Sequence, residues 1–159
     1  MPVFNQRIKS AINYLDGIVT QGFYMSINSS QKKSFNASLA RKKLGDKGEQ
    51  IALEYLEKKN MKLLDKNWRS KHGEIDLVMM DGETLCFVEV RSKIGTDRGH
   101  PLETITAAKQ RQIVRVSSHY LQINNLEESP VRFDAVGIVK DGEKFEITHI
   151  PAAFDAWML

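Results

Sequence analysis

The fold is decided by two apolar stretches that each carry an acid, namely Gly73-Glu74-Ile75-Asp76-Leu77-Val78 and Phe87-Val88-Glu89-Val90-Arg91-Ser92-Lys93. Between them stands an Asp81-Gly82 pair, which is a strong signal for a tight hairpin turn. We therefore predict a strand at Ile75–Met80 and a second, antiparallel strand at Thr84–Ser92. Because side chains alternate along a strand, Asp76 shares a face with Glu74, and Glu89 shares a face with Arg91 and Lys93.

Asp76 and Glu89, the two acids at the centres of these strands, are expected to lower the stability of the fold. A charge buried among apolar residues destabilises a fold unless a partner offsets it. If Asp76 and Glu89 meet across the hairpin, their repulsion raises a carboxyl pKa unless a cation lies between them. Carboxylate oxygens suit Mg²⁺ or Mn²⁺ rather than zinc, and such an ion promotes phosphodiester cleavage by activating a bound water. The alternative is a surface hairpin whose ordinary acids pair with Arg91.

The flanking sequence supplies helices and further strands. Apolar residues at helical spacing predict a helix at Leu44–Lys59, which Asn60 ends, and a second helix at Leu102–Ile123. Three more strands are predicted at Met61–Trp68, Val131–Val139 and Lys144–Ile150. The order α-β-β-β-α-β-β indicates an α/β fold in which helices flank a mixed sheet.

The N-terminal part differs in composition from the rest of the chain. At 159 residues, with 42% hydrophobic and 27% charged residues, the chain has the length and composition of one globular domain. Residues 1–47 hold eight Lys or Arg but only two acids, and residues 26–38 are typical of a polar linker. We therefore divide the chain into a basic, partly flexible extension at residues 1–40 and a domain at residues 41–159. The extension either steers a polyanion toward the site or is a solvated tail.

Several kinds of site and location find no support in the sequence. Cys86 is the single cysteine, so a disulfide framework and a multi-cysteine zinc site are excluded. The four histidines are far apart in sequence and are interpreted as ordinary surface or edge residues rather than metal ligands. No stretch approaches the roughly 18 apolar residues of a membrane span, and no signal-peptide pattern is present. A cytoplasmic protein without a membrane partner is therefore expected.

A set of short motifs in a fixed order connects the chain with a known family. They are Gly45-x-x-Gly48-Glu49-x-x-Ala52-x-x-Tyr55-Leu56, Asn67-x-Arg69, Gly73-Glu74-Ile75-Asp76-Leu77, Phe87-Val88-Glu89-Val90, Lys109, Arg132-Phe133-Asp134 and His149-Ile150-x-x-Ala152-x-Phe154. Together they resemble the YraN-like family of the restriction-endonuclease-like nucleases, which is similar to Holliday-junction resolvases, over roughly residues 45–155.

This resemblance implies a restriction-endonuclease-like three-layer fold and an endonuclease that depends on Mg²⁺ or Mn²⁺. Its partner would be a nucleic acid, DNA in the first place, with branched or damaged structures as candidate substrates. It also implies a homodimer, because the related resolvases are dimers, although no exposed apolar stripe in the sequence identifies an interface.

The resemblance also assigns roles to individual residues. It implies that Asp76 and Glu89 bind the metal, with the Val90 carbonyl as a main-chain ligand and Glu49 as the acid that the first helix contributes. Helix geometry agrees with the last assignment, because Glu49 lies about 20° from Leu56 at the border of the apolar arc. Glu49 can therefore reach a cleft beside the sheet.

One position departs from the family pattern. Arg91 stands two residues after Glu89, where the signature has lysine, and arginine stabilises a charged transition state but cannot act as a base. Lys93, on the same strand face, and Lys109, on the apolar arc of the second helix, are candidate replacements, and we favour Lys109 as a phosphate-contacting group. Arg91 also motivates an alternative, a catalytically weakened or inactive nucleic-acid-binding module. A third possibility is a structural adaptor.

Other charged residues are assigned to less direct roles. Candidate contacts to a nucleic-acid backbone are Arg69, Lys71, Arg98 and Arg111. Glu74 is expected to pair with a lysine or an arginine, and Arg132 with Asp134 in a structural salt bridge.

Overall fold

A computed structural model describes residues 28–95 and 99–156. By its contacts the chain divides into two units, Met1–Lys43 and Leu44–Leu159. The first helix, α1, spans Ser29–Glu57, so its residues belong to both units. The predicted extension lies mostly outside the described residues, and its division from the domain at residue 40 stays a prediction.

The linker predicted at residues 26–38 is wrong from Ser29 onward, because this segment is helical. The Asn28 side chain accepts a hydrogen bond from the Gln31 N–H at 3.0 Å, and the Gln31 side chain accepts one from the Asn28 N–H at 2.9 Å. This reciprocal cap satisfies two backbone donors that a helix start leaves open. No glycine or proline interrupts the polar segment that follows, so the helix continues.

Five strands follow in the predicted order. They are β1 (Lys62–Ser70), β2 (Gly73–Asp81), β3 (Thr84–Ile94), β4 (Val131–Asp141) and β5 (Lys144–Phe154). They form one sheet in the order β1-β2-β3-β4-β5, in which only the β3–β4 pair is parallel. Parallel neighbours need a crossover connection, and the second helix, α2 (Ala107–Asn124), supplies it.

Two apolar clusters cover the two faces of this sheet. One contains Ala52 and Leu56 of α1 with Leu77 of β2 and Val88 of β3. The other contains Ile113, Val116 and Tyr120 of α2 with Val78 of β2 and with Leu85, Phe87 and Phe133. The helices therefore lie on opposite sides of the sheet, and the predicted mixed sheet flanked by helices is confirmed.

The second predicted helix begins later than the sequence indicated. Pro101–Thr104 form a separate 3-10 turn, and α2 starts at Ala107, where the Thr106 side chain accepts a hydrogen bond from the Lys109 N–H. α1 ends at Glu57, two residues before the predicted end, and Asn60 closes the turn that follows with a left-handed φ of 65°. None of the helices in the described ranges is long and apolar enough to cross a membrane.

Candidate functional site

Three polar side chains occupy neighbouring positions on β1, β2 and β3. The pairs Lys66↔Leu77 and Trp68↔Ile75 bracket Asn67 and Asp76 in the β1–β2 register. The β2–β3 register ends at Leu77↔Val88, and its continuation by one residue places Asp76 beside Glu89. Asn67, Asp76 and Glu89 thus form one row across the sheet, which we call the polar row.

The normal alternation of side chains breaks at the polar row. Lys66 donates to Gln50 of α1 at 3.1 Å, and the next residue, Asn67, donates to Glu49 of α1 at 2.9 Å. Two successive side chains of a regular strand point to opposite faces, so both can meet α1 only because Asn67 has a left-handed φ of 54°. β2 matches this break, since Ile75 packs on the α2 side and Leu77 on the α1 side.

Asp76 lies where β2 and β3 cease to pair. Its Oδ2 accepts a hydrogen bond from the Val90 N–H at 2.7 Å, in the place of a ladder bond. Burial, and then the negative charge of Glu89, raise the pKa of Asp76 to about 7, although the Val90 N–H and Lys109 oppose the shift. The Val90 carbonyl points to the same strand edge as its N–H, so it also faces β2.

Glu89 is nearly inaccessible, with 3% of its side chain exposed. Its Oε1 contacts the Arg91 guanidinium at 2.8 Å and the Lys109 ammonium at 3.0 Å. Its Oε2 is buried and has no hydrogen-bond partner within residues 28–95 and 99–156. Burial raises the pKa of Glu89, while the charges of Lys109 and Arg91 lower it. One oxygen of this acid is thus ion-paired and the other is left for a further ligand.

The three basic residues predicted for the site have different positions. Lys109 lies in the first turn of α2, where 18% of its side chain is exposed, and it reaches Glu89 from the α2 side of the sheet. Arg91 pairs with the same oxygen, and its Nε is buried with no partner among the described residues. Lys93 instead donates to the Gly99 carbonyl. Lys109, not Lys93, is therefore the lysine that the fold brings to Glu89.

Glu49 approaches the polar row from α1. Its Oε2 accepts the Asn67 hydrogen bond, and its pKa is raised chiefly by burial and further by the charge of Asp76, while Asn67 lowers it. Glu49 is thus within electrostatic reach of Asp76. However, no three His, Cys, Asp or Glu side chains in the described part of the chain are placed to hold a metal ion together. Asp76 and Glu89 are close enough to interact electrostatically, and the roles of Asp76, Glu89 and Glu49 as metal ligands stay predictions.

The candidate nucleic-acid contacts lie at the surface. Arg69 pairs with Glu74 at 3.2 Å, with both side chains at least half exposed, as predicted for Glu74. Lys71, in the turn after β1, and Arg111, on α2, are exposed. Arg98 lies outside the described residues.

A second charged cluster has a structural role. Buried Asp134 accepts hydrogen bonds from Arg132 at 2.8 Å, from His149 at 3.0 Å and from the Ala152 N–H at 3.0 Å. Burial alone would raise the pKa of Asp134, but these three partners lower it. The predicted Arg132–Asp134 salt bridge is present. His149, interpreted from the sequence as a surface or edge residue, lies on the edge strand β5 with only 3% of its side chain exposed.

Asn67 and Gly48 are positions at or near the candidate site to which the sequence analysis gave no role. Both belong to the family motifs, but the motifs assign neither residue a role. Asparagine tolerates a left-handed backbone, yet nothing local shows that it will adopt one inside a strand. Gly48 permits α1 to approach β3, and that contact exists only in the folded molecule.

Comparison with known proteins finds one family. The sequence profile described as "Uncharacterised protein family UPF0102" matches residues 48–138. A UPF0102 protein of Syntrophotalea carbinolica is 43% identical over 115 residues, which cover 72% of this chain and 94% of that protein. UPF0102 proteins of Geobacter metallireducens and Myxococcus xanthus are 41% and 37% identical, over 74% and 77% of this chain and 97% of each relative. These names assign no activity.

Proposed function

The chain belongs to the uncharacterised protein family UPF0102, whose name states no reaction. From the geometry of the polar row we propose that it is a metal-dependent endonuclease that hydrolyses phosphodiester bonds in DNA. The observation that carries the proposal is the pair Asp76 and Glu89. Both acids have raised pKa values, and a buried oxygen of Glu89 has no partner among the described residues. Two acids held in this state favour a divalent cation as their missing partner.

The residues present fit Mg²⁺ or Mn²⁺. Mg²⁺ is commonly bound by one or two carboxylates together with water and substrate phosphates, so a three-carboxylate cage is not required. Asp76 and Glu89 would hold the ion, with the Val90 carbonyl beside them and Glu49 as a further candidate. When bound, such an ion activates a water and stabilises charge on the scissile phosphate.

The basic residues have separable tasks in this proposal. Arg91 keeps its charge at any working pH and so contributes electrostatic stabilisation of the phosphate, but it does not exchange a proton. Lys109 is held 3.0 Å from Glu89 and little exposed, which suits a cation that contacts the reacting phosphate. We therefore assign to Lys109 the role that the family signature gives to the lysine after the second acid. Lys93, bound to the Gly99 carbonyl, is the weaker candidate.

The likeness of the motifs to restriction-endonuclease-like nucleases and junction resolvases supports the reaction class. It also motivates branched or damaged DNA as the substrate and a homodimer as the active form. The helix–sheet–helix arrangement and the meeting of Asp76 with Glu89 agree with that likeness.

A second function is favoured by one observation. The Glu89 Oε1 atom already forms ion pairs with two cationic side chains, Arg91 and Lys109. These ion pairs compete with a metal, which weakens its binding. The same fold would then serve as a nucleic-acid-binding module with reduced or no cleavage.

The test is to incubate the purified full chain with Mg²⁺ or Mn²⁺ and labelled linear, flapped and four-way DNAs, and with RNA of the same sequences. Asp76→Asn and Glu89→Gln should abolish cleavage and Mn²⁺ binding. Glu74→Gln is the matched control, because Glu74 lies on β2 beside Asp76 but is exposed and paired with Arg69. Binding of DNA without cleavage under any metal supports the binding module, and neither activity supports an adaptor.

A further inference from the structure

One side of α2 carries a row of basic residues. Arg111, Arg115 and His119 follow one another at a spacing of four, which places them on one side of the helix. Arg111 and Arg115 are exposed and His119 is half-buried. Like charges at this spacing repel and destabilise a helix, so the row is not explained by helix stability.

The β1–β2 turn adds two more basic residues to the same surface. Gln112 of α2 donates to the His72 carbonyl at 3.4 Å, which holds the turn against the helix. As a result the rings of His72 and His119 meet edge to face, with their centroids 5.7 Å apart. Trp68 also contacts His119, at 5.9 Å between ring centroids. The turn and the helix thus form one continuous surface.

The charges that act on His72 are all of one sign. Desolvation lowers the pKa of His72, and the positive charges of Lys71, His119 and Arg115 lower it further. A cluster whose members repel one another is stabilised by an anion bound among them. Glu74, the acid in β2 next to the turn, is already paired with Arg69.

The helix that carries the basic row also reaches the polar row, with Lys109 turned toward the sheet and Arg111 and Arg115 exposed. Lys109, which contacts Glu89, is ten residues before His119 on α2, and ten residues of helix rise about 15 Å. A DNA strand in a duplex presents one phosphate in about 3.4 Å of helix axis, so about four phosphates match that length.

We propose that Lys71, His72, Arg111, Arg115 and His119 form a track that binds the phosphate backbone of a nucleic-acid strand leading away from the Asp76–Glu89 site. The track deepens the proposed function by giving the path of the substrate, and it rests on that proposal only for what happens at the site. Its recognition is electrostatic and independent of base sequence. Because the pKa of His72 is lowered from its ordinary value of 6.5, this side chain gains charge below that pH, and the track binds a backbone more tightly there.

The experiment measures binding alone, by fluorescence anisotropy of a 20-base-pair duplex with the full chain in EDTA, at 50 to 200 mM salt. Lys71→Ala and Arg115→Ala should each weaken binding severalfold for any DNA sequence. Each should also make the negative slope of log affinity against log salt less steep by about one. Lys144→Ala is the matched control, because Lys144 is exposed at the start of β5, the opposite edge of the sheet, and it should change neither quantity.

The histidines provide an independent readout. In wild-type protein, affinity should rise as the pH falls from about 7.5 to about 5.5, and His72→Gln should remove most of that rise. An NMR titration should show the pKa of His72 increasing when DNA is added. Unchanged affinity and salt slope in Lys71→Ala and Arg115→Ala would overturn the track.

Failure of the track and failure of the nuclease proposal are distinguishable. If no metal supports cleavage while the track variants still lose binding, the track stands without the reaction. If cleavage of a saturating substrate persists while the track variants bind normally, the reaction stands without the track.

Discussion

Gly48 of α1 lies so close to Ser92 of β3 that a Cβ at position 48 would be 1.8 Å from the Ser92 hydroxyl oxygen and 2.9 Å from the Ser92 Cβ. The hydroxyl can rotate away, but the Cβ is fixed by the backbone of β3. Glycine at this position therefore sets the distance between helix and sheet. Since Glu49 is the next residue, it also sets how near that acid comes to the polar row.

Gly48→Ala should lower the free energy of unfolding by about 1–3 kcal/mol, because the added methyl overpacks a tight contact. Gly45→Ala is the matched control in the same helix, where a Cβ would meet nothing within 4 Å. It should raise that free energy by up to about 1 kcal/mol through helix propensity. Urea denaturation measures both, and equal stability of the two variants would show that the close approach has no energetic consequence.

Asn67→Gly should keep the left-handed backbone but remove the hydrogen bond to Glu49. The pKa of Glu49 should then rise further, because Asn67 lowers it, and Mn²⁺ affinity should fall about tenfold or more. NMR titration of the Glu49 carboxyl and calorimetry with Mn²⁺ measure the two effects.

Asn67→Ala should in addition lose about 1–2 kcal/mol of stability through backbone strain. Asn60→Ala carries the same strain at the end of α1, where φ is 65°, and should leave Mn²⁺ affinity unchanged. Equal loss of affinity in Asn60→Ala would mean that strain, not the Asn67 amide, supports the site.

Metal-free protein should lose stability as the pH rises from about 4 to about 7. The pKa of Asp76 is raised in the folded state to about 7 from an ordinary value of 3.8, so the folded chain binds the proton more tightly than the unfolded chain over that window. The contribution is therefore complete below pH 4 and lost above pH 7.

Thermal unfolding between pH 4 and pH 8.5 measures this effect. Asp76→Asn should flatten the profile, and Mg²⁺ at pH 8 should raise the Tm of the wild type but not of Asp76→Asn. A wild-type profile that climbs steadily through this window would contradict a protonated Asp76.

Lys109→Met should reduce cleavage by at least about 100-fold, because it removes a cation that faces the phosphate and leaves Glu89 with Arg91 alone. Arg91→Lys should stay within about tenfold of wild type, since a cation remains beside Glu89. Single-turnover rates on saturating DNA separate these losses from weaker binding. If Lys93→Met proves as damaging as Lys109→Met, the assignment of the lysine role is wrong.

Asp134→Asn should lower the free energy of unfolding by about 3–5 kcal/mol, because it removes the charge of a fully buried acid and leaves Arg132 and His149 with a neutral partner. Asp81→Asn breaks a contact of the same Arg132 at 2.9 Å, but 42% of the Asp81 side chain is exposed. It should cost less than about 1 kcal/mol. Denaturant midpoints of the two variants measure the difference between a buried and an exposed pair.

The sequence by itself determined the elements and their order. The signals were local, namely strand alternation in residues 75–80 and 84–92 and helical spacing on both sides. They can therefore be recognised without knowing which residues make distant contacts. The hairpin signal at Asp81-Gly82 put Asp76 and Glu89 on adjacent antiparallel strands, and the fold brings them within electrostatic reach of each other. Family membership also followed from the order of the motifs.

Only the tertiary structure decided which groups meet at those acids. Lys93 is closer to Glu89 in sequence than Lys109, yet Lys109 makes the contact, because α2 crosses the sheet at that point while the Lys93 ammonium binds the Gly99 carbonyl. Likewise the left-handed turn of Asn67 and the close approach of Gly48 depend on α1 packing against β1 and β3. Such contacts depend on long-range packing. A local pattern of residues does not indicate which element distant in sequence will pack against it.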